Sequence, residues 1–330
     1  AQAAPSIAAM LHPPVAAAWR ASAAQRPPER WAGVCRAAGI TVVTDRDREF
    51  PELLRRDPQP PAALFVRGDL TALDVRRVGV VGTRNATRAG RQVAFELGRD
   101  LAAADVAVVS GLAKGIDGAA HRGTLSIAAG RPVAVVGNGP DTPYPRQHAE
   151  LWAAVCERGV LLSEWPPGSP PEAFHFPLRN RILAALSEVL VVVESRERGG
   201  SLITAQAALE RSVDVMAVPG SVRNRAACGT NELLRDGAAP VTSADDVLIA
   251  LGLDTRRAGR ASFDPRPLPR GLDADVLRRC RRDPCTLDEL VVDLAVPITD
   301  AAMAVARLER SGWIGDSGGW FEAVGSWPTR

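Results

Sequence analysis

The sequence predicts an α/β protein: a doubly wound, mostly parallel sheet, preceded by a small helical region and followed by a winged-helix domain. Three observations predict it. From about residue 77, short Val-rich runs alternate with helical stretches, and near-continuous apolar strands of this kind belong to parallel sheets covered on both faces. Gly, Ser, Asn and Arg gather where those runs end. A Pro-punctuated break then precedes three helical segments and a Gly-Gly hairpin.

Residues 1–70 read as a helical region and connector. Helical patterns cover 16–24 and 31–38, and Pro27-Pro28, Pro51, Pro58 and Pro60-Pro61 punctuate the remainder. In the core, 71–251, strands are expected over 78–81, 106–110, 132–136, 160–163, 189–194 and 215–218. Helices are expected over 88–103, 116–129, 149–157, 181–186, 202–211 and 231–236. Residues 252–270 carry Pro265, Pro267 and Pro269 with little that could pack, which predicts a linker. Within 271–330, helices over 273–281, 287–294 and 299–311 precede a hairpin over 313–323, the pattern of a winged helix.

The bulk numbers narrow the class. At 330 residues, with 46% hydrophobic and 24% charged residues, the chain is an ordinary globular protein of two or three domains. A net charge of +2 gives no global basic field, so any anion site must come from local clustering. The five Cys are odd in number and lack C-x-x-C spacing, which argues for a reducing compartment and against a zinc site. No apolar run is long enough for a membrane span, and the Ala- and Pro-rich start lacks the pattern of a secretion signal. The expected setting is the cytoplasm, without a membrane partner.

Several loops are suited to anions. The first core strand ends in Gly82-Thr83-Arg84, where Arg84 is a bidentate partner for phosphate. G-x-G-x-x-G is absent, as is the acidic residue about 20 positions later that would hold a ribose. No nucleotide cofactor is expected. Ser110-Gly111-Leu112-Ala113-Lys114-Gly115 joins strand to helix and holds the one lysine of the chain. Backbone N–H groups at such a helix start favour phosphate. Asp117 and His121 share a helix face and could form an acid–base pair, although no nucleophile accompanies them. Phe174-His175-Phe176-Pro177-Leu178-Arg179-Asn180-Arg181 combines aromatics with guanidinium groups, as in proteins that hold single strands without reading sequence. Gly199-Gly200-Ser201 opens another helix. Pro219-Gly220 and Gly229-Thr230-Asn231-Glu232 follow the sixth core strand.

Taken in order, these motifs resemble the DNA-processing protein A (DprA/Smf) family. The match runs through Val81-Gly82-Thr83-Arg84, Ser110–Asp117 with His121, Tyr144-Pro145, Leu162-Ser163-Glu164, Phe176–Arg181, Gly200–Ala205, Val218-Pro219-Gly220 and Gly229-Thr230-Asn231. It is strong over residues 40–245 and looser in the tail. The resemblance implies a Rossmann-like core that binds single-stranded DNA, forms a homodimer and loads the RecA recombinase during natural transformation, without enzymatic activity. The residues expected at the DNA are Gly82, Thr83, Arg84, Gly111, Lys114, Gly115, Phe176, Arg179, Asn180, Arg181, Gly200 and Ser201. Lys114 stands where Arg is more usual, Gly199-Gly200-Ser201 replaces Ser-Gly-Ser, and His148 replaces a common Asn.

Two alternatives remain open. A Rossmann-like phosphoribohydrolase acting on nucleoside monophosphates would need Pro-Gly-Gly-x-Gly-Thr-x-x-Glu. Here Pro219-Gly220 is separated from Gly229-Thr230, and Glu232 falls one residue early. A duplex-binding regulator would use 299–311 as recognition helix, yet Arg307 and Arg310 are mixed there with Asp300 and Glu309.

Overall fold

The computed structural model describes residues 28–253, 266 and 268–324. The helical pattern at 16–24 and most of the linker at 252–270 lie outside the described residues.

The segment expected to be helical contains α1 (Pro28–Ala37), β1 (Thr41–Thr44), the single turn α2 (Glu52–Arg55) and β2 (Ala63–Gly68). Its two strands correct the expectation: β1 pairs antiparallel with β2, and β2 pairs antiparallel with a core strand through Phe65–Gly68. Leu64 and Val66 alternate inward and are buried, so the run Pro60-Pro61-Ala62 is the entry to a strand of the main sheet, paired on both sides and one place in from the edge strand β1.

The core continues with β3 (Arg77–Val81), α3 (Arg88–Ala103), β4 (Ala107–Ser110), α4 (Ile116–Leu125), β5 (Pro132–Val136), α5 (Ala149–Arg158), β6 (Val160–Ser163), α6 (His175–Leu186), β7 (Val189–Val192), α7 (Gly200–Leu209), β8 (Asp214–Ala217), α8 (Cys228–Arg235), β9 (Ala239–Pro240) and α9 (Ala244–Ala250). The nine strands are ordered β1-β2-β6-β5-β4-β3-β7-β8-β9. All pairings from β6 to β9 are parallel. Alternation sets the two faces. Val78 and Val80 pack with Leu97, Leu101 and Ile116 on one side. Val81, Val109 and Val133 pack with Ile182, Leu183 and Ala205 on the other.

Build-up runs outward from β3 through β4, β5 and β6, then α6 carries the chain back and β7 starts the other wing beside β3. The β3/β7 pair is therefore the switch point, and the crevice beyond its carboxyl ends is where such sheets bind ligands. The helix expected at 181–186 begins at His175, which places Phe176, Arg179 and Asn180 on its first turns. Pro177 is tolerated there because its missing N–H would have no intrahelical partner.

A second unit contains α10 (Leu272–Arg282), α11 (Leu287–Leu294), α12 (Ile298–Arg310), β10 (Ile314–Asp316) and β11 (Phe321–Ala323). It has its own core, with Val276, Leu277, Leu290, Leu308 and Trp313 buried together. A capping box between Thr286 and Glu289 starts α11.

Candidate functional site

A cleft of about 620 Å³ opens at the switch point. The β3–α3 loop supplies Gly82, Thr83 and Arg84, and α6 supplies Phe176, Arg179 and Asn180. From the β7 side come Arg196, Arg198, Gly200 and Ser201. Ten of these residues thus come from segments far apart in sequence, brought together because parallel strands all end at one edge.

The inner wall holds two buried opposite charges, each hydrogen-bonded to other groups. Arg179 and Asp117 are buried, and Gly111 lies between them: a Cβ there would sit 2.5 Å from an Arg179 guanidinium nitrogen and 2.7 Å from Asp117 Oδ2. Arg179 Nη1 donates to the Gly111 carbonyl at 3.1 Å, and its Nε donates to Asn180 Oδ1 at 3.2 Å. Burial pushes the Asp117 carboxyl up and holds the Arg179 guanidinium down at about 10, while each charge offsets the other's desolvation. Arg179 is therefore a cation at neutral pH.

The same carboxylate changes the role of the Gly111–Gly115 loop. Asp117 Oδ2 accepts from the amides of Gly111 at 3.1 Å and Ala113 at 3.4 Å. The Ile116 amide donates to the Thr83 carbonyl at 3.4 Å. The anion expected at this helix start is thus the chain's own Asp117, a choice that the bare Gly pattern does not reveal. Gly115 has φ +78, and a Cβ would lie 2.3 Å from the Thr83 carbonyl oxygen, so the two loops touch backbone to backbone. The start of α7 is more open. Nothing lies within 4 Å of where a Cβ would sit at Gly200. Ser201 is buried beneath, its hydroxyl donating to Ser195 Oγ at 2.8 Å.

The outer wall is cationic. Arg84, Lys114, Arg196 and Arg198 are exposed, and among the described residues their side chains make no ion pair or hydrogen bond. Arg84 lies over the Phe176 ring at 4.7 Å. Phe176 packs against Tyr144 with ring centroids 5.7 Å apart. Its other neighbour is Gly137, where a Cβ would lie 3.1 Å from the ring. Phe176 is thus half-buried beneath Arg84 and lines the cleft, while Phe174, 63% exposed, meets His175 edge-on. Lys114 lines an adjoining cavity of about 300 Å³ together with Arg84, Tyr144 and Phe176.

Arg181 departs from the expected group. Its guanidinium pairs with both Glu164 oxygens at 2.6 and 2.7 Å and donates to the Gln59 carbonyl at 2.7 Å, outside the cleft. Conversely, Arg196 and Arg198 line the cleft although sequence reasoning passed over them. The available signal was an Arg-x-Arg run between an apolar strand and a Gly loop. The Asp117–His121 pairing does not form. His121 is fully buried with neither ring nitrogen in hydrogen-bond geometry, and burial holds its pKa down at about 3. Glu194 is also committed, accepting from the Thr87 amide at 2.9 Å and the Thr87 hydroxyl at 2.6 Å ahead of α3.

Fold and cleft together define a Rossmann-like protein with a switch-point crevice lined by unpaired cations. Residues 41–252 match the family model for DNA recombination-mediator protein A, and the chain belongs to that family. It is 41% identical over 213 residues to DNA processing protein DprA of Bacillus subtilis, covering 64% of this chain and 71% of that protein. Among solved structures it is similar to DNA processing protein A from Streptococcus pneumoniae, with a TM-score of 0.61, 38% identity, and coverage of 64% of this chain and 74% of that one. DNA processing protein A from Helicobacter pylori, described for its unique single-stranded DNA binding mode, has a TM-score of 0.58 and 26% identity over 65% of this chain and 97% of that one.

Proposed function

We propose that the cleft holds single-stranded DNA without sequence readout, and that the protein serves recombination by loading RecA onto the bound strand. The observation that carries this is the set of four cations, Arg84, Lys114, Arg196 and Arg198, without ion-pair partners among the described residues, at the carboxyl edge of the sheet in a chain whose net charge is only +2. Phosphates would meet these side chains and the open start of α7, with the buried Arg179 behind them. Bases would lie against the Arg84 plane and the Tyr144 ring. The crevice is recessed and presents no helix or ribbon suited to a major groove, which favours a strand over a duplex.

Family membership supports the remaining features: cytoplasmic action during natural transformation, a homodimer that joins two clefts, and a winged-helix assignment for the three helices and hairpin of the second unit. The phosphoribohydrolase alternative gains nothing. Glu232 pairs with Arg235 at the surface and Thr230 is buried, its hydroxyl donating to the Ala227 carbonyl at 3.1 Å. Neither lines the cleft.

Fluorescence anisotropy with labelled oligo-dT and with a duplex of equal length tests the proposal. Single-strand binding at least tenfold tighter is expected; equal affinity would overturn it.

A further inference from the structure

The cavity beside the cleft has features that phosphate binding does not use. Its volume, about 300 Å³, is at the small end of the roughly 300–1,000 Å³ range of ligand sites, so it has room for one nucleotide but not for a run of them. It shares Arg84, Asn85, Ala113, Tyr144 and Phe176 with the main cleft, so the two spaces adjoin along two rings, a guanidinium and an amide. Phe176 is half-buried and already carries the Arg84 guanidinium over its ring at 4.7 Å. Tyr144 is 38% exposed, borders both spaces and touches Phe176 at a tilt of 34°.

The far end of the cavity is polar. Asn138 is 1% exposed, and its Nδ2 donates to the carbonyls of Gly139 at 3.0 Å and Thr142 at 2.6 Å. Its Oδ1 accepts no hydrogen bond from the described residues and is the atom left for a donor on a base edge. Lys114, also lining the cavity, supplies the cation for the phosphate of the same nucleotide.

We infer that this cavity takes one nucleotide turned out of the strand, its base stacked on Tyr144 and directed at Asn138, its phosphate on Lys114. The inference rests on the proposal that the cleft binds a DNA strand. It assigns Tyr144, rather than Phe174 or Phe176, as the stacking platform. Because every base has a π face, the pocket adds affinity without strong sequence preference.

The test compares oligo-dT with an abasic strand of the same number of phosphates, on the full chain. Wild type should prefer oligo-dT by roughly tenfold or more, the usual scale of one stacked base. Tyr144→Leu keeps apolar bulk against Phe176 but removes the π face, and should reduce the preference by roughly fivefold or more, leaving any share that the Arg84 plane contributes. Tyr144→Phe should restore it. A strand carrying 2-aminopurine should lose fluorescence on binding wild type and much less on binding Tyr144→Leu. An unchanged preference in Tyr144→Leu, or equal binding of the two strands by wild type, would overturn the side pocket while leaving strand binding intact. Failure of wild type to bind either strand would remove the parent proposal as well.

Discussion

Arginines crowd both edges of the central sheet, but they are used in opposite ways. At the amino edge they are paired within the protein. Arg76 and Arg77 meet Glu188 ahead of β7, Arg131 meets Asp105, and Arg158 donates to the carbonyls of Leu125 and Ala128. Arg211 and Asp57 form a nearly buried pair at 2.6 Å. At the carboxyl edge Arg84, Lys114, Arg196 and Arg198 have no such partner among the described residues. Basic side chains thus staple loops on one edge and remain available to an external anion on the other. Three carboxylates at the carboxyl edge are committed elsewhere, Asp117 to amides, Glu194 to Thr87 and Glu164 to Arg181, while exposed Glu197 makes no ion pair with Arg196 or Arg198 among the described residues.

Breaking each edge should give different losses. The largest effect is expected at the amino edge, where Arg211→Ala leaves Asp57 buried without its partner. Stability should drop by about 3–5 kcal/mol in denaturant unfolding, with oligo-dT affinity of the folded fraction retained. At the carboxyl edge, Arg84→Ala combined with Arg198→Ala should reduce oligo-dT affinity by roughly a hundredfold at moderate salt while the unfolding midpoint stays in place. Arg181→Ala, close in sequence to the cleft but paired with Glu164, should leave affinity within about twofold of wild type.

An effect spread over several pH units sharpens the picture beneath the cleft. His121 has its pKa lowered from 6.5 to about 3 by burial, so the unfolded chain binds its proton first as pH falls. Stability present above about pH 6.5 should therefore be lost toward pH 3, at up to about 1.4 kcal/mol per pH unit. His148, shifted in the same direction, adds to the slope. Denaturant melts of His121→Leu should show a shallower acid slope than wild type, since that variant no longer has the imidazole that binds a proton on unfolding.

Much of this was visible in the sequence because it is local. Val-rich runs ending in Gly, Ser and Arg locate the strands and their active edge, and Arg84, Lys114 and Gly200 can be placed from their own neighbours. What escaped depends on partners distant in the chain. The Ala63–Gly68 strand reads as a Pro-flanked connector until Val160–Ser163 pairs with it. Arg181 looks available until Glu164 folds onto it. The Gly111–Gly115 amides look open to phosphate, and only the geometry of α4 shows Asp117 turned back onto them.

The contrast between edges reduces to counterion release. Oligo-dT affinity should be measured across a salt series for wild type, for Arg84→Ala/Arg196→Ala/Arg198→Ala, and for an amino-edge control, Arg76→Ala/Arg131→Ala. For single strands the slope of log affinity against log salt should fall by about 0.7 per lost phosphate contact, or about 2 for the carboxyl-edge triple, and should stay at the wild-type value for the control. Equal slopes in all three proteins would contradict the assignment of the carboxyl-edge cations to DNA.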